Sequence, residues 1–130
     1  DTDRDFARGS SPAAPRLPPS TWKRRPAVSV CPLWRHGTEL PIAGGLKAIH
    51  IPGQCAGQVA LLWARRRVLF AADACANMPT FGYALCYEDL EEGKRSLRKI
   101  AALDFDAAVF GHGGPIKTGA AQKFRQTWAS

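Results

Sequence analysis

Three short segments hold the residue types that could do chemistry. The first is Ile49-His50-Ile51-Pro52-Gly53-Gln54-Cys55-Ala56-Gly57. The second, Val68 to Ala74, is an apolar run that ends in one carboxylate, Asp73. The third, Val109-Phe110-Gly111-His112-Gly113, is an apolar run that ends in one imidazole. Polar atoms just past strand ends are where α/β sites converge, and glycine beside a ligand lets a backbone or an ion come close. Taken singly, Asp73 reads more readily as a capping or turn carboxylate, and His112 as a moderate candidate for a ligand. His50 sits inside an alternating strand pattern and reads as structural.

The elements that must position these groups begin near residue 36. His36-Gly37-Thr38-Glu39 reads as a turn, Glu39 to Ile42 as a short strand, and Gly44-Gly45 as the next turn. Leu46 to Ile51 alternates like a strand until Pro52-Gly53 breaks it. Val59 to Trp63 and Val68 to Ala72, separated by Ala64-Arg65-Arg66-Arg67, predict a β-hairpin with a charged tip. From Glu88 the period lengthens: Leu90, Leu97, Ile100, Ala101 and Leu103 mark one helical face. Acidic residues at its start and Arg98-Lys99 at its end suit the helix dipole. Asp104-Phe105-Asp106 closes it, Ala107 to Phe110 predicts a short buried strand, and Ala120 to Trp128 a last helix with Ala121, Phe124 and Trp128 on one side. The fold class is therefore α/β or α+β, without internal repeats.

Residues 1–34 differ in kind. Pro12, Pro15, Pro18, Pro19, Pro26 and Pro32, with Ser10-Ser11 and mixed charge, resist helix and sheet alike. The expectation is a Pro-rich tail, flexible over 1–26, with an edge strand at most around Val28 to Trp34. At 130 residues the chain has room for one domain plus such a tail.

Composition narrows the classes further. With 45% hydrophobic and 22% charged residues, the chain reads as an ordinary soluble fold. No apolar run approaches the ~20 residues that span a bilayer, and the start shows no apolar signal segment. Cys31, Cys55, Cys75 and Cys86 form no C-x-x-C pair. They are expected to be thiols in a reducing compartment, the cytoplasm, with a Cys55–Cys75 disulfide as the open alternative. The 18 Lys and Arg against 11 Asp and Glu leave +7. Lys23-Arg24-Arg25, Arg65-Arg66-Arg67 and Lys94, Arg95, Arg98, Lys99 carry the excess in three separate contexts. None has the interleaved aromatics of a single-strand binder, so solvated faces are expected and nucleic acid is not.

Together and in this order, the three segments resemble the second half of the metallo-β-lactamase fold, the family of the glyoxalase II-like hydrolases. Its pattern His-Thr-Pro-Gly-His-Thr-x-Gly, then Gly-Asp, then Gly-His-Gly stands here as His50-Ile51-Pro52-Gly53-Gln54-Cys55-Ala56-Gly57, Ala72-Asp73 and Gly111-His112-Gly113. The resemblance implies half of an αββα sandwich over residues 35–130, a mixed sheet with flanking helices. It implies metal between two half-domains, usually two zinc ions, and hydrolysis of ester, thioester or amide bonds in a small acyl substrate. Asp73 matches the carboxylate that bridges the ions, and His112 a ligand of the second ion.

The departures define the expected impairment. Gln54 takes the place of a ligand histidine, and an amide oxygen binds zinc far more weakly than imidazole. Cys55 next to it could substitute as a thiolate after a local shift. The family's His-x-His-x-Asp-His loop is absent: His36, His50 and His112 are the three histidines of the sequence. A catalytic zinc needs about three protein ligands. The expected function is thus a truncated or degenerate hydrolase-like protein, with a non-catalytic scaffold or interaction module as the alternative. A half-sandwich also leaves a sheet face uncovered, which implies self-association or docking to a complementary half.

Overall fold

The computed structural model describes residues 36–129. The expected tail over 1–34, its flexible stretch, its edge strand, the Lys23-Arg24-Arg25 cluster and Cys31 lie outside the described residues.

Five strands form one mixed sheet: β1 (Glu39–Leu40), β2 (Leu46–His50), β3 (Val59–Trp63), β4 (Val68–Phe70) and β7 (Ala107–Val109), side by side in that order. β1 through β4 run antiparallel, and β7 joins β4 in parallel. Between β4 and β7 the chain makes a separate two-stranded sheet, β5 (Cys75–Asn77) with β6 (Phe81–Tyr83), and then helix α1 (Leu90–Ala101). Helix α2 (Ala120–Trp128) follows β7. None of the described helices is long and apolar enough to cross a membrane.

The predicted hairpin forms between β3 and β4, with Leu61 opposite Phe70 and Trp63 opposite Val68. Its tip is one 3-10 turn, Ala64–Arg66, closed by Arg67 in the left-handed region. The expected strand from Glu39 to Ile42 stops at Leu40, because Pro41 offers no N–H to the ladder and Ala43 turns at a φ of 55°. β4 stops at Phe70 before Ala72, whose φ is 50°. β5 and β6 escape a reading by pattern, since Cys-Ala-Asn and Phe-Gly-Tyr are too short to show alternation.

α1 is built as its sequence asks. Asp89 caps its start by accepting from the Glu92 N–H at 2.9 Å, with Glu91 and Glu92 in the first turn and Arg98 and Lys99 in the last. Its buried face is Gly93, Ser96, Leu97, Ile100 and Ala101. Leu90, expected on that face, is exposed instead, since the buried face of α1 begins one turn later, at Gly93. α2 buries Ala120, Ala121, Phe124 and Trp128 as predicted. Asp106 helps to start it: its carboxylate accepts from the Gly119 N–H and its carbonyl from the Ala120 N–H.

Both helices pack on one side of the sheet. The core there joins Ile49, Ala60, Leu62, Leu69 and Ala108 from the strands to Leu97, Ile100, Phe105 and Phe124. The opposite side carries Val59, Leu61, Phe70 and Val109 around an open groove that ends at Ala72 and Gly111. β7 is therefore buried on one face alone: Ala108 is fully covered, whereas Val109 is 39% exposed. In the two described basic clusters, Lys94 pairs with Glu91, Arg95 with Glu92 and Arg67 with Asp104 at the surface. Exposed pairs of this kind add little stability.

Candidate functional site

Asp73 and His112 emerge from neighbouring parallel strands, so β4 and β7 deliver them to the same end of the sheet. Three local features set the Asp73 carboxylate. Ala72 takes the left-handed region, a costly choice for a residue with a Cβ. Gly111 lies against the carboxylate, and a Cβ there would collide with Asp73 Oδ1. The Gly111 N–H donates to the Ala72 carbonyl at 2.9 Å, stitching the two turns together.

The His112 turn is held from its other side by β5. The Asn77 N–H donates to the His112 carbonyl at 3.1 Å, and the Asn77 amide donates to the Gly114 carbonyl at 2.8 Å. The result places His112 Nε2 3.6 Å from Asp73 Oδ1, with both side chains partly open to solvent.

The Gln54 segment, residues 52–58, is equally well fastened. The backbone N–H groups of Glu88 and Asp89 donate to the carbonyls of Gln54 and Gly53, and the Ser96 hydroxyl donates to the Pro52 carbonyl at 2.7 Å. Gly53, at a φ of 139°, has no room for a side chain because a Cβ there would collide with the Gly93 backbone, and a Cβ on Gly93 would in turn collide with the Tyr87 ring. His50 serves this segment structurally: its Nε2 lies 2.8 Å from the Ala56 carbonyl. Gln54 thereby shares a cavity of about 120 Å³ with Asp73, His112, Ala84, Leu85 and Cys86.

Cys86 was not legible as a neighbour of this cavity, because the strands that bring it there are too short to read. Cys55, the thiol considered as a substitute beside Gln54, does not line the cavity. Cys55, Cys75 and Cys86 are free thiols, so the Cys55–Cys75 disulfide is not formed. Burial pushes the Cys75 thiol far up from its ordinary pKa, which keeps it protonated and inert.

The donors can be tested against a metal centre. Among the described residues, no group of three or more His, Cys, Asp and Glu side chains is close enough to hold an ion. Asp73 and His112 offer two good donors and Gln54 a weak one, short of the three that a catalytic zinc needs. The described residues therefore do not form a resident catalytic zinc site by themselves.

No protein-family model matches the sequence, and no curated protein matches it. Solved structures do. A metallo-β-lactamase family protein from Thermus thermophilus aligns with a TM-score of 0.57 and 30% identity over 71% of this chain and 32% of that one. An archaeal metallo-β-lactamase superfamily protein from Sulfolobus tokodaii aligns with a TM-score of 0.56 and 18% identity over 70% of this chain and 37% of that one. The chain thus spans about a third of the length of these proteins. By its fold, the chain belongs to the metallo-β-lactamase superfamily.

Proposed function

We propose that this chain contributes Asp73 and His112 to a metal-dependent hydrolytic centre whose remaining donors lie in a part of the fold that it does not span. The observation that carries this reading is the carboxylate–imidazole pair at 3.6 Å, held by a left-handed Ala72, a Cβ-free Gly111 and the Asn77 latch. Local strain of this kind persists where surrounding structure maintains it for a purpose. Zinc is the cofactor that the superfamily implies, and an ester, thioester or amide the substrate class. No hydrolytic step is assigned to this chain alone.

The open sheet face supports the same reading. Val59, Leu61, Phe70 and Val109 form an apolar groove that runs to Ala72 and Gly111, the residues flanking the pair. A cover seated there reaches the site. We assign that cover to a complementary half of the fold that brings histidine ligands, since about two-thirds of each solved relative lies outside the match.

Zinc titration followed through the His112 ring signals tests the ligand roles. The wild-type chain should bind weakly, and Asp73→Ala should weaken binding at least about tenfold. Stoichiometric tight zinc, or EDTA-sensitive esterase activity of the chain alone, would overturn the incomplete-centre reading. No response of His112 to zinc would favour the second reading, a non-catalytic scaffold, which the neutral Gln54 in a ligand position supports. Gln54→His should raise zinc affinity modestly, because the other donors are still missing; nanomolar binding would contradict this.

A further inference from the structure

Gln58 is one of two polar residues buried in the described core, 8% exposed, between the Gln54 segment and β3. Burying an amide is unfavourable unless its hydrogen-bonding groups are met. The amide oxygen is assigned toward β4's end, the orientation in which it accepts from the Asp73 N–H at 2.9 Å and the Ala74 N–H at 3.1 Å. These two donors follow the left-handed Ala72, where the sheet ladder has already ended. The Gln58 backbone is also fixed, its N–H donating to the Cys55 carbonyl and its carbonyl accepting from the Ile51 N–H.

We propose that Gln58 is a positioning residue that holds the Asp73 turn against the Gln54 segment and thereby aims the Asp73 carboxylate at His112. The inference deepens the proposed function and rests on it for the purpose of the aim. The clamp itself is independent of any metal. One acceptor serves two consecutive N–H groups, so the turn is tied at the residue that carries the carboxylate and at the one after it. The Ala74 N–H also donates to the Ala71 carbonyl at 3.2 Å, whereas the other restraints act on Ala72 and Gly111 and leave the Asp73 N–H without a partner if Gln58 is removed.

Two readouts separate the clamp from its purpose. Gln58→Met keeps the side-chain length and removes the acceptor, whereas Gln58→Glu retains an acceptor at the same reach. Amide hydrogen exchange of the wild type, Gln58→Met and Gln58→Glu reads the clamp without metal. Exchange at Asp73 should rise at least about tenfold in Gln58→Met, while the amides of β2 and β3 stay protected, and Gln58→Glu should restore protection. Unchanged exchange at Asp73 in Gln58→Met overturns the proposal. A rise spread equally over the sheet also overturns it, since that outcome describes a general packing role. Zinc titration of the same three proteins reads the purpose. A loss of about tenfold in Gln58→Met, recovered in Gln58→Glu, supports the aim. An affinity equal to wild type with Asp73 exchange raised refutes it. If the wild type shows no zinc response, the proposed function falls while the exchange experiment still decides the clamp.

Discussion

The two faces of the five-stranded sheet are built from the same strands and meet different fates. On the helix side, Ala60, Leu62, Leu69 and Ala108 disappear beneath α1 and α2. On the other side, Val59, Leu61, Phe70 and Val109 occupy the alternate positions, and Phe70 and Val109 stay 37% and 39% exposed. A strand that faces water on one side alternates apolar with polar residues, whereas one buried on both faces is apolar throughout. β3 and β4 follow the second rule, Val-Ala-Leu-Leu-Trp and Val-Leu-Phe. β3 and β4 are thus apolar on both faces, and the described residues cover one of those faces fully.

The comparison can be broken first where it is strongest. Leu69 is fully buried at the centre of β4, among the core side chains on the helix side. Leu69→Ala should cost about 2–5 kcal/mol, because it removes buried methyl groups and leaves a cavity beneath α1 and α2. Urea unfolding monitored by circular dichroism measures this. A loss under about 1 kcal/mol would mean that the helix side is not the organising core.

The contrast also explains what could be read in advance. Periodicity located β2, β3, α1 and α2, because each places several apolar residues at regular spacing on a buried face. Asp73 and His112 were legible because each ends an apolar run, and the parallel pairing of β4 with β7 brings those ends together. The rest of the site depends on contacts without a local signature. Asn77 grips the His112 turn from a three-residue strand, and Cys86 reaches the cavity through the chain that follows β6. Gln58 looks like any polar residue after a glycine until its amide is seen between the Asp73 and Ala74 N–H groups. Leu90 failed in the opposite sense: its spacing fits the buried face, yet the packing stops one turn short of it. The fold was therefore visible through repetition, while the candidate site was visible in part, through Asp73 and His112, which each end an apolar run.

The open face gives the smallest effect on stability and the clearest one on association. Phe70 projects from β4 into the groove, opposite Leu61 and beside Val109, and about a third of it stays exposed. Phe70→Ser should therefore cost about 1 kcal/mol, less than Leu69→Ala, because the ring is covered only in part. The same change should act strongly between molecules. An apolar groove without its complementary half promotes contact between copies, so the isolated wild-type chain should associate as its concentration rises, and Phe70→Ser should shift that onset upward by about tenfold. Sedimentation velocity across a concentration series measures both proteins. A large loss of stability would show that Phe70 already has its cover within this chain. A wild type that stays monomeric throughout would show that the face does not seek one, and the docking of a complementary half would lose its physical basis.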